Sequence, residues 1–227
     1  MKTRARVKLK DRVLPVYSKG EEIFNMVSHI VGGAAGICAI TLCSIFAAIH
    51  GNGYGVVSGV IFGTTMLILY TMSSIYHGLR SAGTAKRVFQ IIDHCSIFIL
   101  IAGTYTPIAL CTLREYSTFE GWLMFGVIWG VAAIGITLNS IDLRRYKVFS
   151  LICYLVMGWM IIARINLVIK LLPMAAFALL LTGGIAYTVG AAFYVIGKKH
   201  KWMHSVFHIF CVVGSVLHFL MILLYVM

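Results

Sequence analysis

His204-Ser205-Val206-Phe207-His208-Ile209-Phe210-Cys211 opens an apolar run that continues to Met227. The run is long enough to cross a bilayer core, which takes roughly 20 residues of helix. Positions i and i+4 of a helix stand one turn apart on the same face, so His204 and His208 are within reach of one metal ion. An ionisable side chain inside a membrane span is costly unless it is paired, so the two histidines are half of a candidate functional site. His77 and Asp93 are the groups available to complete it.

The chain surrounding this stretch is of the same kind. Of its 227 residues 60% are hydrophobic and 11% are charged, whereas a soluble domain is about 45 to 50% apolar. The composition is that of an all-α, multi-pass membrane protein. A net charge of +12 raises nucleic acid as a partner, but the basic residues sit at the ends of apolar spans and form no basic domain, so no nucleic acid is expected. The six cysteines are scattered singly, without C-x-x-C spacing, and read as small packing residues. The basic N-terminus precedes an apolar run long enough to span and lacking a small-residue cleavage site, so that run is expected to be a retained first helix.

Hydropathy divides the chain into a basic cytoplasmic tail over 1–20 and a transmembrane domain over 21–227. Seven spans are expected, over 26–49, 56–77, 90–112, 120–138, 148–167, 174–196 and 204–226. With the N-terminus inside, sixteen of the nineteen Lys and Arg residues fall on the cytoplasmic side, which predicts N-inside and C-outside, and an odd number of spans agrees. This arrangement brings the end of the second span (His77), the start of the third (Asp93) and the start of the seventh (His204, His208) to the same face. Groups up to 131 positions apart thus reach one membrane depth.

Three neutral imidazoles with one open coordination position suit catalytic zinc, although iron, cobalt and copper accept the same donors. Water would occupy the open position, and Asp93 would serve as its hydrogen-bond partner or as a general base. Ser73 lies one turn from His77, where its hydroxyl either serves the bound water or an oxyanion, or back-bonds its own helix. His218, ten residues past His208, lies about 15 Å deeper and is expected to be a hydrogen-bonded packing residue. His94 points about 100° away from Asp93 around the helix and is expected to be a bystander, as are His50 and His200. Pro107 should loosen the third helix and open a cavity beside the break. Arg164 should snorkel, and Trp122, Trp159 and Trp202 should anchor span ends at the interface.

Four motifs in order resemble those of the haemolysin III family, the bacterial branch of the progestin and adipoQ receptors. They are Glu22-x-x-Asn25-x-x-Ser28-His29, Ser73-x-x-x-His77, Asp93-His94 through Ala102-Gly103-Thr104-Tyr105-Thr106-Pro107, and His204-x-x-x-His208. The resemblance implies a seven-helix bundle in the bacterial plasma (inner) membrane. It also implies zinc held by His77, His204 and His208, with Asp93 hydrogen-bonded to the zinc water and Ser73 beside it. Glu22, Asn25 and His29 are expected to tie the first helix to the rim of the site, with capping by Asn25 or Ser28 as the competing role.

The wider superfamily includes alkaline ceramidases, so the expected function is zinc-dependent hydrolysis of a lipid amide or ester, with a membrane lipid or lipid-like ligand as partner. The alternatives are a receptor-like protein with structural zinc, a cytolysin as the bacterial family name has it, and a transporter. The transporter has no inverted repeat to support it.

Overall fold

The computed structural model describes residues 9–80, 83–197 and 199–227. The basic residues Lys2, Arg4, Arg6, Lys8 and Lys198, counted above toward orientation, lie outside the described residues. All regular structure described is helical. The long elements are α1 (Lys19–Ile49), α2 (Gly53–Gly78), α3 (Thr84–Tyr116), α4 (Thr118–Leu171), α5 (Met174–Ile196) and α6 (Met203–Tyr225).

Local chemistry starts these helices. Ser18 caps α1 in a reciprocal box: its hydroxyl accepts from the Glu21 N–H, and the Glu21 carboxylate accepts from the Ser18 N–H at 2.9 Å. Asn25 and Ser28 lie inside α1, so neither is its cap. Asn52 caps α2 by accepting from Gly55 N at 2.8 Å. Gly36 and Gly63 let α1 and α2 touch backbone to backbone, since a Cβ on either would fall within 3 Å of main-chain atoms of the other helix.

α3 is the centre of the bundle, with 78% of its apolar window buried against 17% for α4 and for α5. Large aliphatic residues such as Val31, Ile134, Ile185 and Leu224 face outward, as in a protein solvated by lipid. After Pro107 the α-helix passes into a π-helical turn over Ile108–Leu113. Proline removes one backbone donor, and the wider turn accommodates the break without ending the helix.

The expectation of seven spans is corrected. Among the described residues, six helices are long and apolar enough to cross a membrane, and the expected spans 120–138 and 148–167 are parts of one element, α4. The stretch containing Arg144, Arg145 and Lys147, read from sequence as a loop, is helical. Asp142 alone leaves helical geometry (φ −157°, ψ 92°), and its carboxylate accepts the N–H groups of Arg144 and Arg145 at 3.0 and 3.1 Å. The helix restarts at once under that cap, so a dip in hydropathy marks a bend rather than a loop.

α4 folds back at this bend. Ser150 donates to Asn139 at 2.6 Å and Asn139 to Tyr154 at 3.3 Å, contacts that a straight helix would place more than about 16 Å apart. Further along, Trp129 reaches Thr106 while Ile161 N reaches the Tyr105 hydroxyl, so both halves rest on α3 at one level. At the far end Arg164, expected to snorkel, pairs with Glu120 at 2.6 Å.

α6 is docked beside α1. Trp202 enters it in the left-handed region (φ 64°), and its N–H donates to Glu21 at 2.6 Å. Eight positions down α1 from Glu21, His29 stacks on His208, so the two helices run parallel.

Candidate metal centre and cavity

His77, at the end of α2, and His204 and His208, in the first turns of α6, are all buried, and one ring nitrogen from each lies within 4.8 Å of the others. The Nε2 atoms of His204 and His208 are 3.1 Å apart. Nitrogens held tetrahedrally at about 2.0 to 2.1 Å from zinc would be about 3.3 Å apart, so the pair is spaced for one ion. His77 is oriented by Glu22: its Nδ1–H donates to the carboxylate at 2.6 Å, which leaves Nε2 with a free lone pair. The other Glu22 oxygen accepts from Lys86 at 2.6 Å, and Lys86 also donates to Leu79 O. A buried lysine, a carboxylate and an imidazole thus form one chain in which each charge is compensated. The donor set fits a metal ion: three imidazoles converge, and the tautomer of one is set by a carboxylate.

Tyr17 closes the cluster from the N-terminal segment. Its ring stacks on His204 (centroids 4.8 Å, 16° between planes) and lies 5.8 Å from His77. Burial, together with nearby acidic groups, raises its hydroxyl above the ordinary tyrosine value. Ser18 and Glu21 fix the segment behind it, and Arg87 donates to the Arg12 carbonyl in front of it. The described part of the expected tail, from residue 9, therefore runs across this end of the bundle.

On the other side of the cluster is a cavity of about 160 Å³ lined by α1 to α6. Its walls are mostly apolar. Asp93, Ser73, His204 and His208 line its upper part, and Tyr105, Tyr187 and His218 line its inner part. Along α3 its lining ends at Tyr105, and Pro107, beside which a cavity was expected, is not one of its lining residues. Among the described residues Ser73 makes no back-bond to α2, whereas its neighbour Ser74 donates to Tyr70 O at 2.7 Å. The Asp93 carboxylate lies 3.6 Å from His94 Nδ1.

The structure brings all five sequence-selected residues to one place, with Asp93 and Ser73 on the cavity wall and His77 toward Tyr17. It also revises several neighbours. His94 was expected to be a bystander, yet it lines the cavity and touches Asp93. Trp159 was expected at the interface, yet it lines the cavity and donates to Thr188 at 3.0 Å. His218 is hydrogen-bonded to Leu180 O, as expected. His29 stacks on His208 at 3.8 Å with both ring nitrogens buried and unpartnered. Tyr17 and Lys86 were not singled out from sequence. Neither residue is unusual in type for its place, and only packing discloses their contacts.

The chain is similar in sequence to known proteins over most of its length. A family profile described as "Haemolysin-III related" matches residues 17–219. The chain is 38% identical to "Hemolysin-3" of Bacillus cereus over 207 residues, covering 91% of this chain and 92% of the relative. It is 39% identical to "Hemolysin-3 homolog" of Bacillus subtilis over 205 residues, covering 90% and 94%. Human "Monocyte to macrophage differentiation factor" is 25% identical over 166 residues, covering 70% and 66%.

Proposed function

Because the chain belongs to the haemolysin-III-related family, we propose that it is a zinc-dependent hydrolase of a lipid amide or ester in a bacterial inner membrane. The observation that carries this reading is the convergence of His77, His204 and His208 at one end of an apolar cavity that Asp93 and Ser73 also line. Such a cavity suits a long apolar chain with a single polar group held beside the cluster.

His77, His204 and His208 would hold the ion, and Glu22 keeps His77 in the binding tautomer. Zinc, when bound, supplies Lewis acidity that polarises the carbonyl and lowers the pKa of water. Asp93 takes the proton from water as the water oxygen bonds to the carbonyl carbon. It returns that proton to the leaving nitrogen or oxygen as the acyl bond breaks. The Ser73 hydroxyl, free of its helix, donates to the developing oxyanion. The apolar walls and Tyr17 exclude bulk water and strengthen each of these contacts.

The test is elemental analysis of detergent-purified protein followed by a lipid amide and ester screen beside Asp93→Asn. About one zinc per chain with turnover lost in the variant is the expected result. A zinc-loaded parent that cleaves nothing across the panel would sink the reading. One observation favours a receptor with structural zinc instead: the Asp93 carboxylate lies 3.6 Å from His94 Nδ1 and is not one of the groups that converge with His77, His204 and His208. In that case His77→Ala lowers thermal stability and no uncleaved lipid accumulates in cells. The name of the Bacillus relatives also raises cytolysis, which zinc-independent leakage from liposomes would support.

A further inference from the structure

Proton bookkeeping at the inner end of the cavity leaves acceptors with no donor. The Tyr70 hydroxyl donates to Cys211 O at 2.9 Å, since a carbonyl can only accept. Its one proton is then used, so at 2.7 Å it accepts from Ser215. Ser215, having donated, accepts from Tyr187 at 2.5 Å. Tyr187 therefore has only lone pairs left for the cavity it lines. His218 reaches the same state by another route. Its Nε2 faces Leu180 O at 3.1 Å and must carry the proton, and a second proton on a ring buried in apolar surroundings is unfavourable. Nδ1 is therefore bare, and it is buried without a partner in a side chain that is 8% exposed.

Two glycines reserve space for these rings. A Cβ at Gly183 would fall 2.4 Å from His218 Cδ2, and one at Gly214 would fall 2.8 Å from the Tyr187 ring. The ring centroids of Tyr187 and His218 are 5.6 Å apart. His218 lies ten residues below His208 on α6, or about 15 Å down the cavity.

We infer that Tyr187 and His218 form a second polar subsite, made of acceptors alone, that binds the hydroxyl of a long-chain lipid whose head lies at the histidine cluster. This rests on the reading that the cavity takes a lipid. An O–H group donating to either acceptor removes the cost of a buried, unpaired polar atom, whereas a plain methylene chain leaves that cost in place. The subsite discriminates in favour of hydroxylated chains for that reason, and an internal water is the competing source of the same donor.

The probe is a pair of saturated long-chain fatty acids, one plain and one carrying a hydroxyl about 15 Å from its carboxylate. Both are titrated into the detergent-purified full chain, with radiolabel retention and melting temperature as readouts. The hydroxy acid is expected to bind about five- to tenfold tighter. Tyr187→Phe and His218→Leu should each reduce that preference and bind the plain acid at least as tightly as the parent does, since the unpaired acceptor is gone, which also shows that the cavity is intact. Equal binding of the two acids by the parent means that water alone fills the subsite, and this overturns the proposal. A preference that survives in both variants overturns it too. If neither acid binds, the lipid-cavity reading fails and the subsite with it.

Discussion

Glu22 and His77, on different helices and 55 positions apart in the chain, share a 2.6 Å hydrogen bond that sets which nitrogen of His77 faces its partner histidines. An imidazole without that acceptor is free to present either tautomer, and its basicity toward a cation falls. Glu22→Ala, which removes the acceptor, is expected to weaken metal affinity by about 10- to 100-fold while leaving the helices formed. Competition against a calibrated chelator, with circular dichroism as the control for folding, measures it. Unchanged affinity would assign Glu22 to Lys86 alone.

The double variant His204→Ala/His208→Ala should lose the metal outright, because a single remaining imidazole binds weakly. Elemental analysis gives the stoichiometry. Thermal melting should show that chelator lowers the midpoint of the parent but not that of the variant, since a ligand bound only to the folded state stabilises it by mass action.

Tyr17 stacks on His204 from outside the cavity, so release of the metal through that end requires its displacement. Tyr17→Ala is expected to speed metal loss to excess chelator, and Tyr17→Phe, which keeps the ring, to leave the rate near that of the parent. The raised hydroxyl stays neutral through and beyond about pH 10, where an ordinary tyrosine titrates. Sealing by Tyr17 should therefore show no pH dependence below that value. Stopped-flow release measured across pH tests both statements.

The bend in α4 hangs on one carboxylate. Asp142→Ala removes the cap on the Arg144 and Arg145 N–H groups and is expected to cost about 0.5 to 2 kcal/mol. Asp142→Asn, which retains an acceptor, should restore most of the loss. Melting of the two variants beside the parent decides it, and an unchanged midpoint in the alanine variant would move the bend's stability to Asn139, Ser150 and Tyr154.

Much of the candidate site was legible because its signal is local. His204 and His208 share a helix face by spacing alone, and an ionisable group in an apolar run stands out against its background. The correspondence of His77, Asp93 and the pair followed from span ends, which hydropathy locates well. Hydropathy failed at residues 139–147, where charged side chains resemble a loop although the backbone stays helical on both sides of Asp142. His94 was misjudged for a related reason: helix geometry gives the direction of a side chain from its own axis and does not say where the cavity wall lies.

By itself the sequence determined a helical, lipid-solvated bundle and a short set of histidines and acids at comparable depth. Composition and a period of 3.6 residues are properties of the chain that survive any packing. Only the tertiary structure decided that Glu22 meets His77, that Tyr17 covers His204, that α4 folds back at Asp142, and that the polar atoms of Tyr187 and His218 are left as bare acceptors. Each of these depends on which helices touch and at what register, a result of steric fit and hydrogen-bond satisfaction between segments far apart in the chain.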